Sequence, residues 1–139
     1  MNKRRQLRVR VFVYGSLLPG LSNHHVVMPY IRETASGTIP GRLVDVGEYP
    51  AAVRDKTSRN SASVIQGLWL TIDHSGLVLL DELEEYYGIE ELNDYERIWV
   101  RDIHHSNLEG WVYIWPADRG CPAVSEVYWP DYLKKLTGK

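Results

Sequence analysis

The sequence predicts an α+β domain, a small mixed β-barrel with a few flanking helices. Short strand-like runs bounded by Gly or Pro recur through most of it, and only one stretch, 76–87, keeps a long helical period. Strands in succession around few helices argue against a doubly wound sheet, in which the two element types alternate. At 139 residues the chain has the size of one domain with a real core, so a single domain over 1–139 is expected.

Residues 8–14 alternate and then turn wholly apolar, as a strand does on entering a core. Gly15 ends that strand, and Pro19-Gly20 punctuates a loop. Asn23 is placed to cap a short helix over 24–31. Strands are expected at 34–39, 41–46 and 51–54, followed by an exposed polar turn over 55–63. A strong strand over 64–72 leads into the helix, which Gly88 would stop. Strands over 95–103 and 108–115 flank the polar Ser106-Asn107, and a short tail segment closes the chain.

Composition narrows the function. Five Trp and nine Tyr against one Phe suit half-buried strands and pocket walls, because each pairs a large apolar body with a polar tip. Cys121 stands alone and forms no internal disulfide, which favours a reducing, cytoplasmic setting. No apolar run approaches the ~18 residues of a membrane span. The basic start at Lys3-Arg4-Arg5 lacks the apolar core and cleavage site of a signal peptide. A net charge of -2 without a basic block points away from nucleic acid and towards a small-molecule partner. Oligomeric state leaves no mark in the sequence.

Three features bear chemistry. Tyr14-Gly15-Ser16-Leu17 follows a buried strand, where Gly allows a sharp turn and successive N–H groups can converge on an anion or carbonyl oxygen. A strand-ending Gly-Ser is also a common turn. In the helix, Leu77, Leu79, Leu80, Leu83, Tyr86 and Tyr87 form an apolar arc, with Asp81, Glu82 and Glu85 opposite. Glu84 falls inside the arc, where desolvation lifts a carboxyl pKa towards that of a general acid/base. The bland alternative puts Glu84 at the rim, reaching Arg97 or solvent. Third, alternation sends Tyr95 and Arg97 to one face of the following strand.

The adjacent pairs His24-His25 and His104-His105 point different ways and make no metal clamp. Cys121, between Gly120 and Pro122, has no activating base nearby in sequence, and Ser16 lacks the flanking pattern of a nucleophile. Trp111, Trp115 and Trp129 are expected in the core rather than on an interaction surface.

Together these segments resemble the γ-glutamylcyclotransferase-like (AIG2-like) family. Tyr14-Gly15-Ser16-Leu17 with Gly20 and Asn23 is similar to its substrate loop, and Gly47-Glu48-Tyr49-Pro50-Ala51-Ala52-Val53 to its Tyr-Pro segment. Gly67-Leu68-Trp69-Leu70 resembles the strand before its helix, and Leu80-Asp81-x-x-Glu84 with Tyr95-x-Arg97 the helix bearing its catalytic glutamate. Glu85 stands where the family often has Gly, and the link to Tyr95 is long and acidic, with Glu90, Glu91 and Asp94. The resemblance implies cyclisation of a γ-glutamyl group to 5-oxoproline with release of an amine. In that reading Glu84 is the general acid/base, and Tyr14, Gly15, Ser16, Leu17, Tyr49, Pro50 and Tyr95 bind substrate. It implies no metal and no cofactor. A non-catalytic small-ligand binding domain on the same scaffold is the alternative.

Overall fold

The computed structural model describes residues 7–86 and 95–137, and the side chains of 83–86 lie outside the described set. Strand β1 (Arg8–Val13) sits at the centre of a five-stranded sheet. The order is β2 (Ile31–Pro40), β5 (Val64–Asp73), β1, β7 (Glu109–Ile114) and β6 (Glu96–Arg101). β1 runs antiparallel to β5, from Arg8 opposite Asp73 to Val13 opposite Leu68. It runs parallel to β7, in register at Val11 and Trp111. A two-stranded ribbon, β3 (Arg42–Asp45) and β4 (Pro50–Val53), meets the end of β7 where the Trp115 N–H donates to Ala52 O at 2.8 Å.

Alternation along β1 splits the core in two. Phe12 faces Ile39, Trp69, Val112, Ile114 and the buried Trp129 at the start of the C-terminal helix (Trp129–Leu136). Val11 and Val13 face the other way, with Leu70 and Ile72, beneath Leu77 and Leu80 of the long helix (His74–Tyr86). Trp115 and Trp129 are buried, as expected, whereas Trp111 is half-buried and Trp99 is exposed against it.

The α+β class stands, but the described sheet is not closed into a barrel. β2 and β6 remain its edges, joined at one corner where the Ile103 N–H donates to Thr38 O at 2.9 Å. The Thr38 N–H, which another ladder step would need, instead donates to Asp102 Oδ1 at 2.7 Å. That oxygen also accepts from Trp69 Nε1 at 2.9 Å, while Oδ2 takes the N–H groups of His104 and His105 at 2.9 and 3.0 Å. Burial pushes the Asp102 carboxyl pKa up, and these four donors more than offset it, leaving it below the usual range.

Three local expectations are corrected. The polar stretch 55–63 contains a short helix, Lys56–Asn60, started by a capping box between Asp55 and Ser58. Arg42 grips that cap through Asp55, at 3.2 and 2.9 Å, and reaches Asp118 at 3.1 Å. The helix expected over 24–31 is broken into His24–Val27 and a 3-10 turn, Met28–Tyr30, around Pro29, after which β2 begins. The tail segment is a full helix, pinned by Tyr132 Oη donating to Asp45 Oδ2 at 2.8 Å.

Candidate active site

The loop after β1 is built by its carbonyls. Gly15 O accepts from the Leu18 N–H at 2.9 Å, and Ser16 O from the Asn23 N–H at 2.8 Å. Leu17 O accepts from His24 Nδ1 at 2.8 Å, which fixes the proton on that nitrogen. Asn23 makes no side-chain cap. Its Nδ2 donates instead to Ser16 Oγ at 3.0 Å, clasping the loop from the far side. With every carbonyl from Gly15 to Leu17 engaged, the N–H groups of Ser16 and Leu17 have no protein partner among the described residues.

The loop touches the Tyr-Pro segment as closely as backbone allows. A Cβ on Gly15 would stand 2.7 Å from Pro50 Cδ. Tyr49 is half-buried, with its carbonyl accepting from the Val46 N–H at 3.0 Å. Tyr14 itself turns inward. Its hydroxyl donates to Tyr113 O at 2.7 Å and accepts the Ala52 N–H at 3.2 Å. Gly15, Pro50 and Tyr14 are therefore brought together.

The long helix joins the same place through Asp81, which was expected on the solvent side. It is half-buried, and its Oδ1 accepts from the Tyr113 hydroxyl at 2.6 Å and pairs with Arg97 Nε at 3.3 Å. The guanidinium of Arg97 lies 4.5 Å from the centroid of the Trp111 ring. Arg97 thus balances a carboxylate, as its face on the strand suggested, but that carboxylate is Asp81. Glu84 lies three residues further along this helix, and where its side chain points falls outside the described residues. Beyond Tyr113, Tyr95 packs on Trp115 with ring centroids 5.6 Å apart, and the Arg119 guanidinium lies over Trp115 at 3.9 Å.

Sequence reasoning missed the meeting of Asp81 with Tyr113 and the packing of Tyr95 and Arg119 on Trp115. The available signal was the same-face spacing of Trp111, Tyr113 and Trp115 along β7. Among the described residues no cluster of three His, Cys, Asp or Glu is placed to hold a metal ion. No described helix is long and apolar enough to cross a membrane.

The model of the γ-glutamyl cyclotransferase, AIG2-like family matches residues 11–131, from β1 into the last helix. The chain belongs to this family. A curated relative, the γ-L-glutamyl-butirosin B γ-glutamyl cyclotransferase of Niallia circulans, is 31% identical over 112 residues, 78% of this chain and 67% of the relative. Among solved structures, an uncharacterised protein from Pyrococcus horikoshii superposes with a TM-score of 0.69 at 16% identity, covering 93% of this chain and 96% of that one. An AIG2-like protein from Mus musculus gives 0.58 at 20% identity, covering 91% and 82%. The two structures share the fold, while the family match and the curated relative support a cyclotransferase-like enzyme.

Proposed function

We propose that this γ-glutamyl cyclotransferase family member acts on a γ-glutamyl amide, cyclises the glutamyl group to 5-oxoproline and releases the amine. The observation that carries this reading is the link through Tyr113. Its carbonyl receives the hydroxyl of Tyr14, at the loop, and its hydroxyl reaches Asp81, one helical turn before Glu84. Loop and helix are thereby tied to the same residue of β7. The curated relative's γ-glutamyl substrate supports the same substrate class here.

In the reaction the substrate's α-amine attacks its own γ-carbonyl carbon, and the bond from that carbon to the leaving nitrogen breaks. Ring closure is already intramolecular, so the protein folds the chain into a near-attack shape and moves one proton. Glu84 takes that proton from the α-ammonium and later delivers it to the leaving amine. The N–H groups of Ser16 and Leu17 hold the glutamyl moiety and receive negative charge developing on oxygen. Tyr49, Pro50 and Tyr95 wall the mouth. The whole chain acts as one such domain, and Cys121 as a lone thiol fits a cytoplasmic setting.

Incubation of purified protein with a panel of γ-glutamyl compounds, with chromatographic detection of 5-oxoproline, tests this. Glu84→Gln should fold and bind while turnover falls at least ~100-fold. A folded wild type that binds such compounds and releases no 5-oxoproline would establish a binding domain instead.

A further inference from the structure

The corner where β2 meets the turn after β6 holds a hollow of about 330 Å³. None of its lining residues belongs to the substrate loop, the Tyr-Pro segment or the link from Asp81 to Tyr113. Its lining includes Gly37 and Gly67, which face each other across β2 and β5. Neither position has room for a side chain. A Cβ on Gly37 would stand 2.7 Å from Asp102 Oδ1, and one on Gly67 would collide with Val13 O. Asp102 sets one wall, because its Oδ2 holds the N–H groups of His104 and His105 while its Oδ1 holds that of Thr38. The hollow is therefore formed before any ligand arrives, which spares a ligand the cost of ordering it.

The hydroxyls of Ser36, Thr38 and Tyr128, the amide of Gln66 and the rings of His104 and His105 surround this hollow, and none bonds to another described residue. The main chain adds to them. Thr38 turns its N–H and C=O away from β5, to Asp102 and Ile103, and alternation turns Ser36 the same way, where its two groups meet no described partner. Hydroxyls and amides both donate and accept, and so does an uncharged imidazole. No Lys or Arg lines the hollow, and its one carboxylate, Asp102, already has four donors. A phosphate would find no fixed cation here, and an ammonium no free anion. A ligand hydroxyl, which likewise donates and accepts, satisfies such a set. Leu68 and the ring of Tyr128 offer apolar surface to the C–H groups between hydroxyls.

We propose that this hollow is a second ligand site, which takes an uncharged polyol about the size of one sugar ring. Its volume lies at the lower end of the ~300–1,000 Å³ of small-molecule sites, which suits one ring rather than an oligomer. The proposal is independent of the cyclotransferase reading. The test follows backbone amide resonances of isotope-labelled wild-type protein during titration with glucose, galactose and inositol, and with inorganic phosphate and ethylamine as charged controls. At least one polyol should give saturable shifts at millimolar concentration, centred on Ser36–Thr38, Gln66–Leu68 and His104–His105, and the charged controls should give weaker ones. Combining Gln66→Ala with Tyr128→Phe should weaken polyol binding at least ~10-fold, as two lost hydrogen bonds imply. Neither side chain bonds within the described protein, so this variant should melt with the wild type. Ser36→Ala, on the exposed edge of β2, supplies a second variant that should weaken binding ~5-fold. No saturable shift at these amides with any of the three polyols up to about 100 mM would overturn the assignment. Tighter binding of phosphate or ethylamine than of every polyol, or an affinity unchanged in both variants, would overturn it equally.

Discussion

The hydroxyl of Tyr14 donates to the carbonyl of Tyr113 at 2.7 Å, and the hydroxyl of Tyr113 donates in turn to Asp81 at 2.6 Å. One residue of β7 thus fixes the distance between the loop and the helix. The two contacts use different atoms of Tyr113, so they can be separated by mutation.

Tyr113→Phe keeps the carbonyl that holds Tyr14 and removes the bond to Asp81. The fold should survive, while kcat falls ~10-fold or more as the helix loses its register against the loop. Asp81→Asn, which also gives up the charge facing Arg97, should lower kcat at least as far. Steady-state kinetics beside a melting curve check this, and an unchanged kcat in both variants would remove Asp81 and Tyr113 from the site.

Gly15→Ala should reduce kcat/KM at least ~10-fold with little loss of stability, because the new methyl would stand 2.7 Å from Pro50 Cδ and the loop must move. Pro50→Ala in the same chain removes the obstructing ring and should recover part of the loss. A double-mutant cycle on kcat/KM measures the coupling. Additive effects would mean that the two residues do not meet in the working enzyme.

Acid should unfold the protein through its paired aspartates. The bonds from Arg42 hold Asp55 down from 3.8 to about 2, and Asp102 also lies below its ordinary range. A depressed folded pKa contributes stability that is complete above the unfolded value and is lost as pH falls through the folded one. Urea midpoints should therefore stay level down to about pH 4 and then drop steadily towards pH 2. Asp55→Asn should be the weaker protein at pH 6 and converge on the wild type near pH 2. Parallel profiles would show that Asp55 contributes nothing through its charge.

Most strands and the long helix were legible because their signals are local: alternation, Gly and Pro punctuation, and a 3.6-residue period. The Tyr14–Leu17 loop was legible for the same reason. Asp81 was misplaced because a helical wheel shows which side is apolar but not how the helix rotates against the sheet, and Tyr113 reaches in from β7 to meet it. Asn23 has a favourable cap residue's chemistry, yet a partner at Ser16 was the better use of its amide. The short helix after Asp55 was hidden because Asp-x-x-Ser reads equally as a polar turn. Asp102 could not be read at all, since Thr38 and Trp69 lie 64 and 33 positions away.

The parallel pairing of β1 with β7 also governs the order of assembly. Hairpins such as β3–β4 and β6–β7 close over short loops and can form early. Tyr14 and Tyr113 are separated by 99 positions, and bringing them together carries the entropy of closing a long loop before any bond between them forms. The bridge from loop to helix through Tyr113 is thus a late product of folding. A collapsed chain with most of its strands in place would still lack the proposed site, and binding competence becomes a readout of the final docking step.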